Sequence, residues 1–281
     1  MTSEIRMDAL LPQEMAEKAE AAGIRKAALS FLPLFALALL AGAFIGLGAM
    51  FATNTAAASS ALPYGLGRLL VGLVFCLGLV LVVVGGAELF TGNNLIVMAW
   101  ASRKISTWAL LRNWLIVYVG NFVGSLGTAV LVFLGRQYTS GGGTVGEAAL
   151  NIAVGKVNLG FIQALALGIL CNGLVCLAIW LTYSARSVAD KILAILFPIS
   201  AFVAAGFEHS VANMYFIPYA LIVKTFDPAF VAARQLDLAG LTWGTFFLNN
   251  LLPVTIGNII GGAVLVAAVY WLIFLQKKRN G

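Results

Sequence analysis

Long apolar stretches, almost free of charge, alternate along the chain with short polar segments. Four are uninterrupted, at 31–67, 113–135, 157–185 and 238–276. Two more carry one polar interruption each: 69–102 is broken by Glu88, and 192–223 by Glu208 and His209. A helix needs roughly 20 apolar residues to cross the bilayer core, so the pattern predicts six membrane-spanning helices. A straight helix through either interrupted stretch would reach roughly 45–50 Å, against a hydrocarbon thickness of about 30 Å. Gly85-Gly86 and Gly206 stand at the interruptions, so the second and fifth helices are predicted to break there.

The two interruptions resemble each other. "GAELFTGN" at 86–93 and "GFEHSVAN" at 206–213 both read G-x-E-x-x-x-x-N, 120 positions apart. A second pair, "NWLIVYVGNFVG" at 113–124 and "NLLPVTIGNIIG" at 250–261, shares N-x-x-x-x-x-x-G-N-x-x-G at an offset of 137. The 17 additional residues fall in a loop around Asp227 to Asp237. Matched Glu and Asn in the same span order imply an internal duplication. Three spans per half make the halves cross in opposite directions, so the expectation is an all-α integral membrane protein built as two inverted three-helix repeats, 31–135 and 157–276, in one transmembrane domain, 31–276. Broken helices survive at membrane depth only where the freed backbone is buried in protein or lines a water-filled cavity. The topology therefore points to a pathway.

Composition supports this class. The 281 residues are 61% hydrophobic and 10% charged, with a mean hydropathy of +0.98, as in a polytopic membrane protein. The net charge of +6 is scattered at the borders of apolar stretches, a topological pattern and not a nucleic-acid surface. With both termini cytoplasmic, twelve of the 17 Lys and Arg lie inside, leaving Arg68, Arg136, Lys156, Lys224 and Arg234 outside. Residues 1–30, with Glu4, Arg6, Asp8, Glu14, Glu17 and Lys18, read as a cytoplasmic amphipathic segment and not as a cleavable leader. Residues 277–281 read as a basic cytoplasmic tail. Cys76, Cys171 and Cys176 sit in apolar runs as packing residues. No catalytic nucleophile, metal cluster or nucleotide loop stands out, so neither an enzyme nor a cofactor or metal is expected.

The candidate chemistry lies at the breaks. Glu88 and Glu208 are the acids predicted at membrane depth, where an ionised acid costs on the order of 2.5–3.5 kcal/mol without partners. Because they recur in both halves, with Asn93 and Asn213, the expected role is structural: capping freed amides of each glutamate's own broken segment. His209, the one histidine in the chain, has Leu89 as its counterpart and so stands outside the shared frame. Imidazole can donate to an anion and exchange a proton near neutral pH, which suits a small weak-acid anion. The opposing loop offers the Thr91 hydroxyl, a donor and acceptor for the same solute. Asn172 either hydrogen-bonds the histidine or solute, or packs beside Gly173. Phe75 and Leu79, one turn apart, and Phe202 are either core residues or a constriction that excludes hydrated ions by dewetting. Lys156 either attracts anions at an external entrance or snorkels at the interface.

With these residues in view, the chain resembles the formate/nitrite transporter family over nearly its full length. The resemblance is carried by "GGAELFTGN", "CNGLVCLAIW", "GFEHSVANM", "NLLPVTIGNIIGG" and the amino-terminal "LLPQEMAEKAEAAG". It implies an aquaporin-like fold, a homopentamer in the bacterial cytoplasmic membrane, and a pore in each protomer that moves a small anion, formate first. It implies that His209 and Thr91 form the central site assisted by Asn172. Phe75, Leu79, Leu89, Val175 and Phe202 would then be the constrictions, with Lys156 at the external vestibule and Glu208 and Asn213 shaping the loop. It also implies that the amino-terminal helix covers the cytoplasmic mouth, here through a face of Leu11, Met15, Ala19 and Ala22. One departure is Gly92, where formate members often carry serine, which leaves nitrite or hydrosulfide as alternatives. A neutral-solute channel fits the topology but lacks the two Asn-Pro-Ala motifs it should show.

Overall fold

The computed structural model describes residues 9–276, and every regular element among them is helical. The predicted basic tail at 277–281, and Glu4, Arg6 and Asp8 of the amino-terminal segment, lie outside the described residues. The helices are α1 (Pro12–Ala27), α2 (Phe31–Ala58), α3 (Tyr64–Gly85), α4 (Val97–Ala101), α5 (Thr107–Leu134), α6 (Thr144–Val157), α7 (Phe161–Ser184), α8 (Val188–Ala204), α9 (Ser210–Phe226) and α10 (Pro228–Ala232). A final helix, α11, runs Trp243–Phe274. Five of these, α2, α3, α5, α7 and α11, are long and apolar enough to cross a membrane. The remaining apolar stretch is divided between α8 and α9, of 17 residues each.

Local chemistry explains the boundaries. Pro12 opens α1, the Glu14 carboxylate accepts from the Leu11 N–H at 2.8 Å, and Arg25 and Lys26 occupy the last turn, matching charge to the helix dipole. Ser106 caps α5 by accepting from the Ala109 N–H at 3.1 Å. Ser187 and Asp190 form a capping box on α8. The first apolar stretch proves to contain a turn, since α2 ends at Ala58 and α3 begins at Tyr64. Helix α5 starts at Thr107, earlier than Asn113, because Thr107 to Arg112 continue the helix beyond the apolar run. Helix α6, in what reads as a loop, and π-helical windings within α11 at Phe246–Leu251 and Ile260–Ala268 leave no hydropathy signature.

Close packing holds the bundle. A Cβ on Gly124 of α5 would overlap the Leu39 carbonyl of α2, and one on Gly261 of α11 would overlap the Ile169 carbonyl of α7. Small residues of this kind let membrane helices approach closely. The three cysteines are free and buried. Tyr138, near the end of α5, is buried and donates its hydroxyl to Asp227 at 2.7 Å.

Helix α1 lies against the body of the protein through Met15, Ala16, Ala19, Ala22, Gly23 and Ala27. Leu11, expected in this face, is 62% exposed; as the residue preceding the helix it falls outside the periodic stripe, whose places are filled by Ala16 and Gly23. Lys18 donates to the Tyr183 carbonyl at 2.8 Å, Gln13 to the Phe274 carbonyl at 2.8 Å, and Lys104 pairs with Glu20.

Candidate functional site

Both predicted breaks are present, and each begins with a left-handed glycine. Gly86 (φ +81°) ends α3 and Gly206 (φ +77°) follows α8. The Ala87 and Phe207 N–H groups fold back onto the Val82 and Phe202 carbonyls at 2.9 Å each, the closing bond of a glycine-terminated helix. A side chain at either glycine would be strained, which is why both interruptions start with this residue.

Past the glycines, the freed backbone is held by one asparagine in each half. Asn121 donates to the Ala38 and Glu88 carbonyls (2.7 and 2.9 Å) and accepts from the Phe90 N–H (2.8 Å). Asn258 does the same with the Gly168 and Glu208 carbonyls (2.9 and 3.0 Å) and the Ser210 N–H (2.9 Å). The N–H groups of Glu88 and Glu208 reach the carbonyls of Leu37 and Leu167. Asn121 and Asn258 are the paired asparagines of the second sequence repeat, for which the sequence suggested no role.

The glutamate side chains correct an expectation. They accept from side chains and not from amides of their own segments, and the Phe90 and Ser210 N–H groups go instead to Asn121 and Asn258. The Glu88 carboxylate accepts from Lys26 at 2.6 Å and from Asn93 at 2.7 Å. Asn93 also donates to Asn113, and Asn113 donates to the Lys26 carbonyl. Glu208 accepts from Lys156 at 2.7 Å, Asn213 at 2.7 Å and Asn250 at 3.1 Å. Asn213 donates in turn to Asn250, and Asn250 to the Lys156 carbonyl. Each carboxylate is thus neutralised by one lysine within a closed polar cluster, the arrangement a buried charge requires. Lys156 is committed to Glu208 and lies 5.4 Å from the centre of the Phe216 ring. Its counterpart Lys26 arrives from α1, a residue sequence reasoning counted only among the cytoplasmic positive charges.

His209 is where the halves diverge. Its Nδ1 accepts the Ala212 N–H at 3.0 Å, capping α9, and its Nε2 lies 3.0 Å from the Thr91 Oγ1. An Nδ1 that accepts leaves the neutral ring's proton on Nε2, an assignment made from the network. Nε2–H then donates to the Thr91 oxygen and leaves the threonine hydroxyl hydrogen free to point elsewhere. Thr91 is held from behind: Asn172 and Cys176 both donate to its carbonyl, at 3.2 and 3.4 Å. The other amide hydrogen of Asn172 goes to the Asn258 carbonyl at 2.7 Å. Asn172 therefore positions Thr91 and does not present a donor to the histidine or to a solute.

Two cavities approach this pair. One, of about 550 Å³, is lined by α1 residues together with Glu88, Leu89 and Gly92. The other, of about 310 Å³, is lined by His209, Glu208, Lys156, Phe75, Phe202 and neighbouring residues. The Thr91–His209 contact lies between residues lining one and residues lining the other. Phe75 and Phe202 meet edge to face at 5.7 Å, and the Phe202 ring stacks 5.9 Å from the His209 ring. Leu89 faces the α1-side cavity. Leu79 and Val175 are buried in the same apolar core and line neither cavity.

Comparison with known proteins places this geometry. A family model described as "Formate/nitrite transporter" matches residues 13–272. "Formate channel FocA" of Escherichia coli K12 is 44% identical over 284 residues, covering 100% of both chains. "Probable formate transporter" of Methanothermobacter thermautotrophicus is 40% identical over 257 residues, 86% of this chain and 88% of that one. Among solved structures, "Pentameric formate channel with formate bound" is similar with a TM-score of 0.82 and 45% identity, covering 88% of this chain and 98% of the other.

Proposed function

The chain belongs to the formate/nitrite transporter family, and on that premise we propose that it is a channel for formate, with one pore per protomer of a homopentamer in the bacterial cytoplasmic membrane. The observation that carries the reading is the buried Thr91–His209 pair set between two cavities. Support for formate and for the pentamer comes from what the similar proteins are named as doing. The pore crosses a fold of six spans, α2, α3 with its continuation to α4, α5, α7, α8 with α9, and α11, arranged as two inverted repeats within 31–276. The matched hydrogen-bond sets around Asn121 and Asn258 support the repeat, and the charge asymmetry supports cytoplasmic termini.

Formate arriving from either cavity leaves water and loses its hydration. Two donors aligned through the pair, His209 Nε2–H to Thr91 and the Thr91 hydroxyl to a carboxylate oxygen, replace part of that hydration. Full proton transfer from the neutral ring would leave an imidazolate. Transfer from an imidazolium would first require Nδ1 to give up the Ala212 N–H, at a cost of about 0.5–2 kcal/mol for a lost cap. Hydrogen bonding to the passing anion or acid is the favoured role, and Phe75, Leu89 and Phe202 keep hydrated ions out. Asn172 acts through Thr91. Lys156 keeps Glu208 neutralised beside the second cavity, while Glu88, Asn93 and Asn213 hold the breaks.

A second reading, nitrite or hydrosulfide as the substrate, rests on Gly92, where formate members often carry serine; a Cβ there would press on the tip of Ile179. Competition fluxes of formate, nitrite and hydrosulfide in proteoliposomes, with and without a proton gradient, separate the two. Formate should pass fastest, and preference for nitrite or hydrosulfide overturns the assignment.

A further inference from the structure

The α1-side cavity carries more positive charge than transport of a monoanion uses. Its wall holds Lys18, Arg25, Lys26 and Lys191, and one carboxylate, Glu88. Lys26 and Glu88 neutralise each other. Lys18 has the uncharged Tyr183 carbonyl as its acceptor. Arg25 and Lys191 have no acidic partner among the described residues. Asp190, next in sequence to Lys191, turns its carboxylate to the Ser187 and Arg186 N–H groups and lies outside the cavity wall.

This grouping is electrostatically uncomfortable. Burial, and then the charges of Arg186 and Lys191, hold the Lys18 amine below its ordinary value. Lys191 also sits one turn into α8, near the positive end of the helix dipole, where a cation is disfavoured. Like charges gathered around a cavity are relieved by an anion within it. A monoanion would offset one charge, whereas three uncompensated cations from two helices can share the oxygens of a dianion. The arginine fork suits a tetrahedral oxyanion, with the two ammonium groups as point charges beside it. The cavity volume lies in the range of small-molecule sites.

We propose that this cavity binds a phosphate-type dianion, free phosphate or a phosphate monoester, bridged from Lys18 and Arg25 of α1 to Lys191 of α8. Such an ion is too highly charged to pass the apolar constriction. Its occupancy fastens α1 to the body of the protein and closes the pore from that side, a consequence that rests on the transport reading.

The test is equilibrium dialysis of the full chain in lipid-free detergent with radiolabelled inorganic phosphate at low salt. Binding should saturate in stoichiometric ratio to the chain, and glycerol 3-phosphate should compete at comparable concentration if monoesters are the natural source. Arg25→Gln and Lys191→Gln should each weaken it about tenfold, as loss of a charge-assisted contact does. No saturable binding, or binding indifferent to both substitutions, overturns the site. Phosphate added to proteoliposomes should slow formate flux from the α1 side alone; equal inhibition from both sides, or none, overturns the closure. Absence of formate flux in the unmodified protein would defeat the transport reading while leaving the phosphate stoichiometry standing.

Discussion

The two breaks use the same parts to different ends. At each, a left-handed glycine stops a helix, an asparagine from a later helix holds three backbone groups, and a glutamate pairs with a lysine. One position after that glutamate the first break has Leu89 and the second has His209. Frame and chemistry are therefore separable in the proposed account, since what recurs keeps non-helical backbone satisfied at membrane depth and what does not recur is the residue proposed to meet the solute. The lysines differ too. Lys156 comes from α6, whereas Lys26 comes from α1, so one break is tied to the helix that walls the larger cavity.

The largest effect should follow from removing the frame. Asn121→Leu and Asn258→Leu each leave one carbonyl and one N–H of the broken segment unpaired, at about 1–3 kcal/mol apiece, and both variants should fail to yield folded oligomer on size exclusion. A variant tolerated in one half would break the equivalence of the two. Next come the lysines, since cutting a buried ion pair costs about 3–5 kcal/mol. The Lys156 side chain is 16% exposed and that of Lys26 30%, so Lys156→Met should lower the melting temperature more than Lys26→Met. The reverse order would mean that α1 is the more deeply anchored element.

Smaller still is the tie between Lys104 and Glu20. The lysine side chain is half exposed, so Lys104→Ala should cost no more than about 1 kcal/mol, read as faster limited proteolysis within α1 while α6 stays protected. The smallest effect concerns acid. Asp227, in the loop after α9, accepts from the Phe230 N–H and then the Tyr138 hydroxyl, and these hold its carboxyl below the ordinary range. Its contribution is complete above the unfolded value of about 3.9 and is lost as pH falls through the lower folded value. The melting difference between the protein and Asp227→Asn should stay constant from neutral pH down to about pH 5 and close on further acidification.

Much of this comparison was legible in the chain. Glu88 and Glu208 stood out because acids are rare in apolar runs, and the glycines and asparagines because side-chain identity is needed in both halves. The Lys26–Lys156 correspondence was hidden, since one lysine sits in an amino-terminal segment and the other in an apparent loop. Helix α6 was missed for the same reason: fourteen residues after a glycine-rich turn carry no spanning signal. Asn172 stayed open between a polar contact to histidine or solute and packing beside Gly173, because sequence cannot show that two carbonyls claim its amide. Nor could it show the histidine tautomer, which depends on the Ala212 N–H. Leu79 and Val175 read as constrictions by resemblance; they are buried in the apolar core and line neither cavity, as residues of a closed constriction between cavities would.

The central claim, that transport chemistry rests on His209 and not on the frame around it, is tested most directly by His209→Asn. Asparagine is a good helix cap, so α9 keeps its start, but its shorter side chain cannot reach Thr91. The variant should melt close to the unmodified protein, assemble as before, and lose at least about tenfold of formate flux in proteoliposomes, as expected when a buried donor is withdrawn. A well-folded His209→Asn oligomer with undiminished formate flux would contradict the account.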